Sequence, residues 1–228
     1  MIKDNILKLN EDIAAVCAKA GRDPQEITLV AVTKTATVED IKEAAAAGIT
    51  DFAESRVQEA REKFARLKHI PGLRWHLVGH LQTNKIKPAL EIFLLIHSVD
   101  SLRLLQEINK CASRWEKPAE VLLQVNVSGE KTKFGVSPEG VDEILKEAAG
   151  LEAVRVKGLM TIAPLTNDEK AIRAAFSGLR RLKERVERSI SAPNIVMQHL
   201  SMGMTNDYRI AIEEGSNMLR IGRGIFGK

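Results

Sequence analysis

The sequence contains little cysteine and few aromatic residues, and it lacks long apolar runs. Among its 228 residues are two cysteines, Cys17 and Cys111, and aromatic residues make up 4%. Two cysteines cannot build a disulfide framework, which favours a reducing compartment. No segment has the ~20 consecutive apolar residues of a membrane helix, and the first 21 residues lack the apolar core of a secretory signal. We therefore expect a cytoplasmic protein without a membrane segment.

Charge of one sign is not concentrated in any part of the chain. The formal net charge is only +4. In the most basic stretch, residues 180–190, Glu184 and Glu187 alternate with arginine and lysine, as they do on a solvated helix face. The sequence shows neither a glycine–aromatic RNA-binding signature nor zinc-ligand spacing. It therefore predicts no nucleic acid partner and no bound metal.

What the sequence does contain is a repeated strand–helix unit. The expected strands are eight short apolar segments at 27–34, 51–55, 74–79, 94–100, 119–127, 154–162, 196–202 and 217–223. Helical patterns lie between them, and an extra amphipathic helix over 2–20 precedes the first strand. Eight such units without a flexible linker predict an α/β fold, a (β/α)8 TIM barrel, as one domain over 1–228. An open doubly wound sheet is the alternative.

Two of the expected helices carry similar end signals. The helix over 37–48 has Thr37 as its N-cap and closes on Gly48. The helix over 137–150 repeats the design, with Ser137 as the expected cap. Both helices follow an expected strand, so the signals support the strand–helix repeat.

Side-chain alternation places Lys34 at the mouth of the expected barrel. In the first strand Val30, Val32 and Lys34 share one face, and in the fifth strand the matching face turns polar at Gln124 and Asn126. Active sites of these barrels lie at the carboxyl ends of the strands. Burial there would lower the pKa of the amine, and a neutral amine can form an imine with a carbonyl compound. A strand-end lysine that reaches solvent is the alternative.

Two glycine-rich turns follow the last two strands. They lie within 199–215 and 220–227, where phosphate sites form in many such barrels. Backbone N–H groups in such turns suit an anion, although ordinary glycine turns are the alternative. The segment GRGIFG at 222–227 fits the spacing of a dinucleotide-binding motif, but no helix, returning strand or acidic ribose partner follows it. We reject that interpretation.

Arg220 lies on the same strand face as Met218 and Gly222 and would point into the barrel. A guanidinium there needs an acceptor, which a carboxylate, a phosphate or a ring nitrogen could supply. A buried structural ion pair fits equally well. His76 and His80 are interpreted as ordinary strand histidines, and no catalytic triad or cysteine nucleophile is evident.

An imine-forming lysine, an anion cradle and an inward arginine together suggest pyridoxal phosphate (PLP). The chain also resembles the YggS/PROSC family of PLP homeostasis proteins along essentially its whole length. The segments that carry the resemblance are LVAVTK (29–34), FAESRVQEA (52–60), WHLVGHLQTNK (75–85), HSVDS (97–101), QVNVSGEKTKFG (124–135), GLMTIAP (158–164), LSMGMTNDY (200–208) and RIGRGIFG (220–227).

The resemblance implies a role for each matching residue. It implies that Lys34 holds PLP as a Schiff base and that Arg220 faces the pyridine nitrogen. Asn126 and Met160 would lie near the ring. The residues implied at the phosphate are Ser201, Gly203, Gly222, Arg223 and Gly224.

The chain departs from the family pattern at two positions. Ser55 stands where the family usually has asparagine, so its contact with the cofactor is open. Arg223 stands where many members have threonine or serine, so a hydroxyl contact to the phosphate is lost. A guanidinium could replace part of that contact.

The expected function is binding, buffering and delivery of PLP, with apo-PLP enzymes as recipients, by a monomer without catalytic turnover. An arginine only donates, so it leaves the ring nitrogen unprotonated and the electron sink weak. Racemisation also needs a second acid or base, and the only tyrosine is Tyr208. A racemase-like PLP enzyme is the alternative. A Schiff-base aldolase ranks third, because its lysine would need an acidic partner that is not evident.

Overall fold

The computed structural model describes residues 1–115, 117–130 and 132–227, and its eight strands form a closed parallel barrel in sequence order. The predicted TIM barrel is therefore confirmed. Each strand ends one to three residues before its expected end. The strands are β1 (Thr28–Val32), β2 (Asp51–Glu54), β3 (Arg74–Leu77), β4 (Leu95–Val99), β5 (Ala119–Gln124), β6 (Val154–Met160), β7 (Ile195–Ser201) and β8 (Met218–Ile221).

Helices surround the barrel. They are α1 (Ile2–Lys19), α2 (Val38–Ala46), α3 (Val57–Leu67), α4 (Ile86–Ile92), α5 (Leu102–Ala112), α6 (Val141–Ala148), α7 (Glu169–Ser189), α8 (Tyr208–Glu213) and α9 (Arg223–Phe226). The extra helix α1 is confirmed, and it packs on α2, α8 and α9. Within the described ranges, none of the helices is both long and apolar enough to cross a membrane.

The two predicted helix starts have different outcomes. Thr37 caps α2 in a capping box with Asp40, as expected. The prediction for Ser137 is wrong, because α6 begins later and has Gly140 as its N-cap. The Ser137 carbonyl and hydroxyl both accept from the Gly140 N–H, so these residues form a separate turn before the helix.

Inward side chains of the barrel stack in layers to which alternate strands contribute. From the registers of neighbouring strands, the layer nearest the mouth contains Ala53, His97, Met160 and Arg220, the middle layer Val30, His76, Leu122 and Ser201, and the floor layer Asp51, Leu95, Gly158 and Met218. The apolar members form their own cluster inside the sheet. The polar members are all buried as well, so the barrel interior is a mixed core rather than an apolar one.

Candidate functional site

Lys34 lies two residues beyond β1, at the carboxyl end of the barrel. Its side chain is exposed, so the burial that was expected for this amine is not observed. The chain has already left the strand at Val32, and a turn carries the lysine into solvent. Lys34 has no hydrogen bond or ion pair with any residue that the structure describes. The amine is therefore free to meet a carbonyl compound at the mouth.

The backbone immediately before Lys34 is held by a buried ion pair. Lys63 on α3 donates to the Thr33 carbonyl and to Glu54 Oε1, both at 2.6 Å. The Thr33 hydroxyl donates to the same carboxylate oxygen at 2.6 Å, and Glu54 is fully buried. This contact ties α3 to the end of β1. The exposed lysine thus directly follows a buried residue, Thr33, whose carbonyl and hydroxyl are both hydrogen-bonded.

Arg220 lies inside the barrel and is 4% exposed. Its Nη1 donates to Ser201 Oγ at 2.7 Å, and its Nη2 donates to the Thr161 carbonyl at 2.8 Å. Burial lowers the pKa of the guanidinium to about 10, and the charge of Asp207 opposes this shift. Arg220 is still protonated at neutral pH. Both of its contacts are neutral acceptors, and no ion pair to it is found among the described residues.

Ser201 links Arg220 to a chain of buried polar side chains. His97 Nδ1 is 2.9 Å from Ser201 Oγ, and His97 Nε2 is 3.0 Å from His76 Nδ1. His76 Nε2 is in turn 2.9 Å from Asp51 Oδ1 on the floor of the barrel. The sequence interpretation of His76 as an ordinary strand histidine missed this connection.

The predicted glycine turns approach each other at the mouth. Gly203 has φ +96°, and a Cβ there would lie 2.6 Å from the Ala211 side chain. A Cβ at Gly224 would lie 2.9 Å from Ile221, and the Gly224 N–H donates to Thr205 Oγ1 at 3.3 Å. That bond joins the turn after β8 to the turn after β7. Only glycine leaves the backbone close enough for this arrangement.

Known proteins resemble the chain over its full length. The family described as alanine racemase, N-terminal domain, matches residues 7–228. The pyridoxal phosphate homeostasis protein of Aquifex aeolicus is 39% identical over 225 residues, which cover 99% of this chain and 97% of the relative. The protein of that name from Pseudomonas aeruginosa is 40% identical over 226 residues, covering 99% and 95%. The chain belongs to the pyridoxal phosphate homeostasis protein family.

Solved structures support the membership. PipY of Synechococcus elongatus PCC7942, without PLP, superimposes with a TM-score of 0.89 at 34% identity and complete coverage of both chains. PipY with PLP bound gives a TM-score of 0.86 at 33% identity. Alanine racemase of Clostridium difficile has a TM-score of 0.76, but its identity is 18% and this chain covers 56% of it. That likeness shows a shared fold.

Two residues that the family resemblance places near the ring have different surroundings. Met160 is fully buried in the same layer as Arg220. Asn126 Nδ2 donates to the Glu130 carbonyl at 2.8 Å, and Asn126 Oδ1 accepts from Ser128. Asn126 thus stabilises the loop after β5, and its contact with the cofactor ring stays a prediction. Lys131, in the same family segment, lies outside the described residues.

The residues that the resemblance places at the phosphate do not all lie together. Gly203, Gly222 and Gly224 belong to the joined turns, and Arg223 begins α9 with an exposed side chain. The Ser201 hydroxyl has its contacts inside the barrel, with Arg220 and His97, and not with the turns. Ser55 is partly exposed next to the mouth. Their contacts with a phosphate, and that of Ser55 with a cofactor, remain predictions.

A cleft is formed by residues of β5 and of the loops after β5 and β6. It measures about 200 Å³ and its lining includes Gln124, Asn126, Phe134 and Ile162. The Phe134 ring stacks on His80 with centroids 4.2 Å apart, and His80 Nδ1 is 3.0 Å from Asp100. His80 is therefore part of the rim, which sequence reasoning did not anticipate. Among the residues described, no group of histidine, cysteine, aspartate and glutamate is arranged to hold a metal.

Proposed function

We propose that this protein binds pyridoxal 5′-phosphate and acts in its homeostasis in the cytoplasm. It would bind, buffer and deliver the cofactor, with apo-PLP enzymes as recipients, as a monomer and without catalytic turnover. The names of the full-length relatives support the role, and the PLP-bound structure of PipY supports the ligand. When bound, PLP supplies an aldehyde that forms a Schiff base with an amine, and an electron-withdrawing ring.

The observation that carries the proposal is the pairing of a buried arginine with an exposed lysine at one mouth. Arg220 uses two of its nitrogens on Ser201 and Thr161, which leaves N–H groups for a further acceptor. A pyridine nitrogen is such an acceptor, and it is neutral. A buried guanidinium without a carboxylate contact therefore fits this ring, with Asn126 and Met160 as its proposed neighbours.

Lys34 is the residue proposed to hold the cofactor through a Schiff base. It is exposed and unpaired within the described part of the chain, so the amine is accessible to the aldehyde and also to competing amines. The joined turns at Gly203 and at Gly222–Gly224 supply backbone N–H groups for the phosphate, with Arg223 beside them. Ser201 would contribute through its backbone, because its hydroxyl is engaged inside the barrel.

A racemase-like enzyme is the second candidate, and the position of Tyr208 weighs against it. Racemisation needs an acid or base on each face of the substrate. The Tyr208 hydroxyl donates to Asp12 Oδ2 of α1 at 2.5 Å, and Arg209 donates to the same carboxylate. The only tyrosine of the chain is thus held on the outside of the barrel. Lys34 would be left to act alone.

Borohydride reduction followed by peptide mapping tests the proposal. The purified protein loaded with PLP should be yellow, and reduction should attach the label to Lys34. The Lys34→Ala variant should lose the visible imine band and the label. Lys42→Ala, which removes an exposed lysine of α2, should behave as the unmodified chain does. A label on another lysine, or an unchanged band in Lys34→Ala, would disprove the assignment.

Exchange of the amino-acid α-proton separates the two candidate functions. A carrier should show no sustained exchange in deuterated water when alanine or other amino acids are added. Turnover at enzymatic rates would favour the racemase. Transfer can be followed in the same preparation by adding an apo-PLP enzyme and measuring how fast its activity returns.

A further inference from the structure

Five buried side chains form an unbroken hydrogen-bonded series across the inside of the barrel. The series runs from Arg220 in the mouth layer through Ser201, His97 and His76 to Asp51 on the floor, with contacts of 2.7, 2.9, 3.0 and 2.9 Å. Each of these residues is at most 4% exposed. Arg74, which begins β3 and is half exposed, closes the lower end by pairing with Asp51. The five side chains come from five different strands.

The chemistry of the two ends restricts where the protons lie. Burial acts to raise the pKa of Asp51, but hydrogen bonds from His76, Arg74 and Thr50 outweigh it and lower the pKa. Asp51 is therefore a carboxylate at neutral pH and can only accept, so His76 Nε2 must carry a hydrogen. At the other end Arg220 can only donate, so Ser201 Oγ must accept from it.

The protonation state of the His76 and His97 rings then sets the donor-to-acceptor direction of the whole series. Burial, and the charge of Arg220, lower the pKa of His97 well below its usual range. If both rings are neutral, His76 Nδ1 accepts from His97 Nε2–H, and His97 Nδ1 accepts from the Ser201 hydroxyl. Every donor then meets one acceptor. A cationic His76 would reverse the two inner bonds and add a second buried charge near Arg220.

We propose that these side chains are a one-directional relay, Arg220→Ser201→His97→His76→Asp51, that positions Arg220 as the donor to the cofactor ring. His97, His76 and Asp51 are positioning residues in it, since they act through Arg220. The link to the ring rests on the proposed function, whereas the relay itself belongs to the ligand-free protein. A carboxylate in direct contact would neutralise the charge of Arg220. The relay holds the Arg220 guanidinium in place without a carboxylate in contact with it.

Nitrogen NMR of the histidines tests the relay without any ligand. In protein labelled with ¹⁵N-histidine at pH 7.5, both His76 and His97 should be neutral and protonated on Nε2. A scalar coupling should connect His97 Nε2 with His76 Nδ1 across their hydrogen bond. An imidazolium at His76 together with Nδ1–H at His97 would show the reverse direction and overturn the proposal, as would absence of the coupling.

Variants at His76 test the positioning role. A His76→Leu side chain breaks the series two bonds away from Arg220, whereas His76→Gln keeps one acceptor and one donor in the same order. We expect about tenfold weaker PLP retention and a shifted visible band in His76→Leu, the effect of about one lost hydrogen bond, and recovery of both in His76→Gln. His199→Leu is the control, because His199 also lies on a barrel strand, β7, but its side chain has no hydrogen bond among the described residues.

The outcomes are distinguishable. If His76→Leu behaves like His199→Leu in PLP retention and in its visible band, the positioning role is wrong. If His76→Leu does not fold, Ser201→Ala breaks the series at the other end, with the buried Ser98→Ala outside the series as its control. If the unmodified chain shows the relay by NMR but retains no PLP, the proposed function and the link to the ring both fail, and the relay alone stands.

Discussion

The inside of the barrel and the rim at the end of β1 carry positive charge in opposite ways. Inside, Arg220 is buried and its neighbours Ser201 and His97 are fully engaged. At the rim, Lys34 is exposed and has no partner among the described residues. Under the proposed function, the contrast means that the cofactor ring would be oriented inside the barrel and the cofactor exchanged at its rim. A fixed donor belongs where water is excluded, and a reversible linkage belongs where the amine can be reached.

The difference between buried and exposed positive charge is tested most strongly by replacing each of two neighbouring lysines with methionine. Lys63→Met would leave the fully buried Glu54 without its cation, which should lower the free energy of unfolding by about 3 kcal/mol. Lys34→Met removes an exposed side chain and should change it by less than about 0.5 kcal/mol. Urea denaturation of both variants measures the difference.

Borohydride labelling of the same two variants should give the reverse order. Lys34→Met should take no label, whereas Lys63→Met, under conditions where it is folded, should still be labelled at Lys34. Equal losses of stability in the two variants would show that the rim is not separate from the packed wall of the barrel.

The dependence of the free energy of unfolding on pH tests whether the buried histidines of the interior are neutral. The pKa values of His97 and His199 are lowered by burial from the ordinary 6.5, so the folded state stays neutral where the unfolded chain takes up protons. Stability should therefore be complete above about pH 6.5 and fall below it, by at most about 1.4 kcal/mol per pH unit for each histidine. The pKa of Asp51 is lowered from 3.8, so its contribution should be lost only below about pH 4.

Two histidine variants identify the source of this slope. His97→Leu should reduce the fall between pH 6.5 and 4.5, and the exposed His69→Leu should leave it unchanged. Denaturant unfolding at four pH values provides the measurement. An equal slope in the two variants would contradict a buried neutral His97.

A small effect is expected on the outer surface, where Tyr208 contacts α1. Tyr208→Phe removes one hydrogen bond to Asp12, which Arg209 still contacts through two. We expect a loss of about 1 kcal/mol in the free energy of unfolding and no change in labelling of Lys34. Loss of PLP binding in this variant would place Tyr208 in the site and reopen the racemase interpretation.

The fold could be predicted from the sequence because strand alternation and helix periodicity are local signals. The eight strands were located, but their ends were placed too late by one to three residues. Thr33 and Val125 explain why: both are buried one residue beyond the end of their strand, so burial continues where the strand has ended. Ser137 was misassigned for a similar reason, since a turn and a helix cap use the same residue types.

The site could be predicted only in part. Alternation placed Arg220 inside the barrel correctly, but it could not show that a turn carries Lys34 into solvent. The relay joins Asp51, His76 and His97 from different strands, and no short motif contains any two of them. The alternation of side chains along each strand could have predicted that each of the three points into the barrel. Their contact depends on the registers between strands, which a single sequence does not reveal.

The one-directional relay also gives the barrel an electrical polarity. Its negative end at Asp51 is compensated by Arg74, while its positive end at Arg220 has no carboxylate in contact within the described part of the chain. The charge of Arg220, on which Asp207 acts without a hydrogen bond or ion pair, lies below the mouth, where mobile ions of the solvent cannot surround it. An anion that enters the mouth meets an attractive field that persists at salt concentrations at which the attraction of surface lysines has disappeared.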